Sequence, residues 1–161
     1  MTYLLETREI LEAAVIIEQS GYEFYIKSMK KLADPKVTQL FQYLADEEFK
    51  HENKFKSILS ALDPAGRGGP ADEEYRAYLR GFCRAHLLAN PEKAGRLVES
   101  IRSEQDALAL AMQFEKDSVI FFTELKNLYA DDPLGSIERI IQEEMTHIRR
   151  IFLLQQGIQV G

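Results

Sequence analysis

The chain has 161 residues, 26 acidic against 20 basic, a net charge of -6, 45% apolar and 29% charged side chains, and one cysteine, Cys83. This is globular composition, long enough to bury a sizeable core, and it excludes general disorder, an intramolecular disulfide framework and any all-cysteine metal site. An acid excess collects no phosphates, which excludes a nucleic-acid partner, and no stretch approaches 18 uninterrupted apolar residues, which excludes a membrane span.

Apolar residues recur at steps of three and four almost throughout, so the elements read as helices. The opening segment lacks a basic start and carries Glu6, Glu9 and Glu12, which excludes a signal peptide and points to a cytoplasmic protein. A first helix is predicted from Leu4 to Leu32, with the inward row Leu11, Ala14, Glu18, Tyr22, Tyr25, Met29 and Leu32. Asp34-Pro35 ends it, because the residue before proline is pushed out of the helical region, and starts a second helix to Leu62. That helix carries the row Leu40, Leu44, Glu48, His51, Phe55, Ile58 and Leu62. Residues 63–70, rich in glycine and proline, break the pattern, and shorter helices are predicted over 71–89 and 92–102. Ser103 reads as the N-cap of a long helix to Ala130, with Leu108, Ala111, Glu115, Ser118, Phe122, Leu125 and Tyr129 inward. A last helix from Pro133 to Gln156 carries Ile137, Ile140, Glu144, His147, Ile151 and Leu154, and Gly157 is placed to end it.

The two halves repeat. Glu18 maps onto Glu115 at an offset of 97, and Glu48 and His51 map onto Glu144 and His147 at 96. Each half is a helical hairpin closed by a short Asp-Pro turn, over 4–62 and 103–157, joined by a crossover, 63–102. The expected architecture is a single all-α domain over 1–161, an antiparallel four-helix bundle with a crossover that carries extra helix.

All four long stripes are interrupted near mid-length by ionisable groups. Residues three apart share a helix face, so each Glu-x-x-His pair projects inward from one turn. Six such groups in one core cost several kcal/mol for each uncompensated charge, against a total stability of ~5–15 kcal/mol. Two divalent cations balance the four carboxylates of Glu18, Glu48, Glu115 and Glu144, with His51 and His147 as neutral nitrogen donors. Carboxylate and imidazole without thiolate suit iron or manganese.

The stretches AAVIIEQSGYEFY, LFQYLADEEFKHENKF, AMQFEKDSVIFF and IIQEEMTHIRRI resemble the four helices of the rubrerythrin-like branch of the ferritin-like superfamily. The resemblance implies a ferritin-like fold and a non-haem di-iron centre with Glu18, Glu48, His51, Glu115, Glu144 and His147 as ligands. It also implies an oxidoreductase that reduces hydrogen peroxide or O2 in oxidative-stress defence. Two departures stand out. Rubrerythrins proper carry a rubredoxin-like module with Cys-x-x-Cys pairs, which this sequence lacks, so a separate electron donor, rubredoxin-like or a flavoprotein, is expected. They also carry a second Glu one turn after the third-helix ligand, where this chain has Ser118, a poor iron ligand.

Tyr22 and Tyr25 lie one and two turns from Glu18 and read either as phenols serving the ligand carboxylates or as core aromatics. Glu47 and Glu143, repeat mates beside the motif glutamates, point about 100° away, toward solvent or a Lys/Arg partner. Asp46 and Gln142 are further candidates for the outer surroundings of the ligands. His86 receives no site, Cys83 reads as a small buried hydrophobe, and the Gly66–Gly69 run lacks the lysine of a phosphate cradle. Alternative functions on the same ligands are a ferroxidase that handles iron, a dimanganese catalase-like enzyme and a bundle that keeps the ligands but serves as a scaffold or binding partner. Tyr75, Tyr78, Leu79 and Phe82 suggest an apolar crossover face that a homodimer would cover.

Overall fold

The computed structural model describes residues 2–62, 73–86, 91–129 and 135–157, with backbone alone for 2–6. These residues form six helices: α1 (Thr2–Met29), α2 (Pro35–Ser60), α3 (Glu73–Ala85), α4 (Pro91–Ser100), α5 (Glu104–Leu128) and α6 (Ser136–Gln155). The fold is all-α. Helices α1 and α2 form one hairpin and α5 and α6 the other, with α1 beside α5 and α2 beside α6. Helix α3 lies against α1 and α5, and α4 against α1, so the crossover covers one seam of the bundle. No helix among the described residues is long and apolar enough to cross a membrane.

Local chemistry sets the boundaries. Asp34 caps α2, its carboxylate accepting from Lys36 N at 2.8 Å with Pro35 at the first helical position. Ser103 caps α5 through Asp106 N at 3.1 Å. Helix α6 departs from expectation: it begins at Ser136, after Gly135 in the left-handed region (φ 61°), with no side-chain cap. The predicted start at Pro133 falls outside the described residues, as do the loop 63–70 and the ends of the predicted 71–89 helix. Gly157 ends α6 with φ 70°, its N–H donating to Leu154 O.

The crossover is tied to the first hairpin at one end. Lys31 Nζ donates to Val98 O and Glu99 O, both at 2.9 Å, at the C-terminal turn of α4. The Glu104 carboxylate accepts from Ala33 N and Asp34 N at 2.9 and 3.1 Å, which joins the α1–α2 turn to the start of α5. The crossover face expected to be free is largely occupied: Leu79 is fully buried and Phe82 stacks on Phe121 with centroids 6.4 Å apart. Tyr75 donates to the Glu124 carboxylate, and Tyr78 is the one of the four that stays mostly exposed. Leu79 and Phe82 of that face therefore pack within the chain, and Tyr78 remains on its surface.

Beyond Glu18 the inward row of α1 is Gly21, Tyr25 and Ser28, whereas the expected Tyr22, Met29 and Leu32 sit half-buried at its edge. Gly21 explains the shift. A Cβ there would stand 2.6 Å from Phe114 Cζ and 3.4 Å from Glu48 Cγ, so the missing side chain admits the Phe114 ring. We expect Gly21→Ala to destabilise the fold by roughly 1 kcal/mol in urea denaturation, because overpacking costs ~1–3 kcal/mol and helix propensity returns about 1. An unchanged denaturation midpoint would show that Phe114 has room to move.

Candidate metal centre

Glu18 from α1, Glu48 and His51 from α2, Glu115 from α5, and Glu144 and His147 from α6 are all 0% exposed. The helical spacing of three in each Glu-x-x-His pair does what the sequence predicts, setting both donors on one inward turn. Their atoms form two overlapping groups, Glu18–Glu48–His51–Glu144 and Glu48–Glu115–Glu144–His147, each with its donor atoms within 4.8 Å of one another. Glu48 and Glu144 belong to both groups. Glu18 with His51, and Glu115 with His147, complete the two ends.

The donors approach one another closely, but within the cluster only His147 Nδ1 finds hydrogen-bond partners, at Glu144 Oε2 and Glu115 Oε2. His51 Nδ1 lies 2.8 Å from Glu144 Oε1 and 3.7 Å from Glu18 Oε2. His147 Nδ1 lies 3.0, 3.4 and 3.7 Å from Glu144, Glu115 and Glu48. Yet both oxygens of Glu18 and of Glu48, together with His51 Nδ1 and Glu144 Oε1, have no hydrogen-bond partner. Buried polar atoms almost always find one, and leaving each unmatched costs ~1–3 kcal/mol. Atoms that converge without aligning on each other fit a pair of cations held between them. The two rings lie nearly parallel, 5.7 Å apart with a 21° interplanar angle, so the imidazoles flank the carboxylates in register.

Without ions, protons balance the charge. Burial pushes the carboxyls of Glu18, Glu48 and Glu115 above their ordinary range, reinforced at Glu48 and Glu115 by the charge of Glu144. Burial acts the same way on Glu144, but Glu115 as a hydrogen-bond partner and the charges of His51 and His147 outweigh it and hold Glu144 well below. Burial disfavours charged imidazoles, yet the surrounding carboxylates outweigh it, raising His51 well above its usual value and His147 to about 10.

The model of the family described as Rubrerythrin matches residues 9–154. The chain belongs to this family. A Thermotoga maritima protein, proposed to be a ferritin-like diiron-carboxylate protein, shares the fold at a TM-score of 0.66 and 21% identity, over 93% of this chain and 94% of that one. Among curated proteins, none matches the sequence. The bundle is thus a ferritin-like one, and its rubrerythrin-family helices carry the six converging donors.

The two tyrosines separate. Tyr25 is fully buried and its hydroxyl donates to Glu115 Oε1 at 2.5 Å, so it is at once a core aromatic and a partner of the cluster. Tyr22 is half-buried, packs 6.1 Å from Phe49 and lines an outer groove between α1, α2 and α4. Asp46 and Gln142 are exposed and bond within their own helices, to Gln42 and Glu138, away from the cluster. Cys83 is half-buried, its thiol pushed up by burial to about 11.

Two residues had more to do than the sequence reading gave them. Glu143 pairs with Lys54 at 3.2 Å, as a Lys partner was expected, and also meets His51 Nε2 at 2.8 Å. The signal was the Glu-Glu doublet present in both halves. His86 is 1% exposed, its Nε2 3.2 Å from Ser118 Oγ and its ring edge-on to Phe114. Burial pushes it down to about 4, with Glu144 opposing and Lys93 assisting, so it is neutral at neutral pH. Its signal was the helical spacing Leu79, Cys83, His86 on one face. The residue left without a site and the serine that departs from the rubrerythrin pattern are therefore hydrogen-bonding neighbours.

The raised imidazoles and carboxyls give the metal-free protein a signed pH dependence. A folded pKa above the unfolded value stabilises below the unfolded pKa and is lost as pH rises through the folded one. We expect the melting temperature of the metal-free protein to fall as pH rises from 6.5 toward 10, the window set by His147. Loading with two divalent ions should flatten that fall, since the ions replace the protons. Differential scanning calorimetry checks it; a metal-free melting temperature that climbs across this window would contradict the charge balance.

Proposed function

We propose that the chain is a non-haem di-iron oxidoreductase that reduces hydrogen peroxide or O2 in oxidative-stress defence, with electrons from a separate donor. The observation that carries this reading is the pair of overlapping donor groups sharing Glu48 and Glu144 in a rubrerythrin-family bundle. Glu48 and Glu144 would bridge two ions, Glu18 and His51 would complete one position, and Glu115 and His147 the other. Bound as a ferrous pair, iron supplies two electrons together to a two-electron oxidant.

The chain's own residues set the conditions for that chemistry. Tyr25 donates its proton to a hydrogen bond on Glu115 Oε1, which fixes that carboxylate's orientation. Phe41 and Phe114, both fully buried, pack edge-on against the Tyr25 ring and keep that side of the cluster apolar. A low-dielectric surround strengthens each fixed charge on a reacting molecule. Reduction of one peroxide consumes two protons with two electrons, giving two waters. Cys83 is the one cysteine in these 161 residues, so the sequence builds no rubredoxin-type four-cysteine site. A rubredoxin-like protein or a flavoprotein fits the donor role.

The test combines metal analysis with kinetics. The protein should bind two iron ions per chain, and after anaerobic reduction stoichiometric peroxide should reoxidise them rapidly in a stopped-flow cell. Two manganese ions instead would favour catalase-like chemistry, and growth of a mineral iron core would favour iron handling. Glu144→Ala removes a donor common to both groups and is expected to abolish binding of the pair; two ions retained by that variant would overturn the ligand assignment.

A further inference from the structure

Both imidazoles present Nδ1 to the shared carboxylates, so each Nε2 points to the outer side of the cluster. The sequence repeat leads one to expect equivalent surroundings there. Glu47 and Glu143 are mates at an offset of 96, as are His51 and His147. Glu143 of α6 reaches across to His51 of α2, with Oε2 2.8 Å from Nε2. The matching reach, Glu47 of α2 to His147 of α6, is not made. The Glu47 carboxylate pairs with Lys50 on its own helix at 2.5 Å, and His147 Nε2 has no hydrogen-bond partner among the described residues. What stands beside the His147 ring is Tyr43, edge-on at 5.8 Å, with the Arg150 guanidinium 4.2 Å from the centre of the Tyr43 ring. An anion backs one imidazole, and an aromatic ring carrying a cation backs the other.

The terminal carboxylates differ in the same sense. Glu115 shares its charge with the Tyr25 hydroxyl, while both oxygens of Glu18 have no hydrogen-bond donor. A carboxylate on the far nitrogen of a ligating histidine fixes the tautomer, leaves the near nitrogen free for a cation and raises its basicity. Both differences strengthen the Glu18–His51 end relative to the Glu115–His147 end. Resting on the metal reading above, the geometry points to two inequivalent metal positions, with Glu143 as the positioning residue that makes the Glu18–His51 position the tighter one. That position fills first and releases its ion last, and exchange takes place at the other.

The test is anaerobic titration of the metal-free full chain with cobalt(II), read by its visible absorption. Two phases of one equivalent each are expected, separated in affinity by at least about tenfold, in keeping with the roughly 10–100-fold worth of such outer partners. Glu143 is half-exposed, so Glu143→Gln should fold normally, which circular dichroism verifies, and should weaken the first phase roughly 10–100-fold until the two merge. Lys54→Met keeps the Glu143–His51 contact and should keep the phases apart. His51→Ala should remove the first phase and His147→Ala the second. Two equal equivalents in the unaltered protein, an undiminished separation in Glu143→Gln, or loss of the first phase in His147→Ala would overturn the inequivalence and leave the metal reading standing. Absence of stoichiometric cobalt would overturn both.

Discussion

Four carboxylates and two imidazoles lie in the middle of an apolar bundle, and the rest of the structure accommodates their burial. Each charge removed from water costs several kcal/mol unless compensated, on a scale where the whole fold is worth ~5–15 kcal/mol. The bundle meets this by convergence: the six groups come from one turn of each of four helices, and each is brought within reach of several others. Protons hold the balance without metal, and divalent ions would take their place. The orphaned oxygens of Glu18 and Glu48 are the mark of a site shaped for cations more than for internal hydrogen bonding.

That convergence depends on close helix approach. Gly21 lets Phe114 lie against α1, one turn from Glu18, and Phe114 in turn stands edge-on to His86 and Tyr25. The crossover is part of the same arrangement. It delivers His86 to Ser118, one turn beyond Glu115, and it is anchored by Lys31 at the end of α4. A segment that could have been a mere connector thus closes one side of the site with a neutral polar pair and a stack of aromatic rings.

Much of this was legible from period and spacing. The inward glutamates interrupt the stripes at 3.6-residue spacing, so their helix, face and depth follow from the sequence, and the Asp34 and Ser103 caps follow from local hydrogen bonding. Periodicity leaves a choice between adjacent faces, and packing decides it. Tyr22 gave way to Gly21 because only a neighbouring helix decides which of two rows is buried. Phe82 of the crossover turned inward because α5 offered it the Phe121 ring, and α6 begins at Ser136 because Gly135 adopts a left-handed turn.

The sequence by itself determined the element type, the two-fold repeat and the six inward donors, since each depends on chain-local geometry. Tertiary structure alone decided what lies beyond those donors. Whether His51 meets Glu143, whether His147 meets Glu47, and whether Tyr25 reaches Glu115 depend on relative helix positions to within an ångström or two, because a hydrogen bond is lost beyond about 3.5 Å. A repeat constrains such distances only on average. The symmetry written in the chain is therefore broken at the outer surface of the site, where one imidazole gains a carboxylate and the other does not.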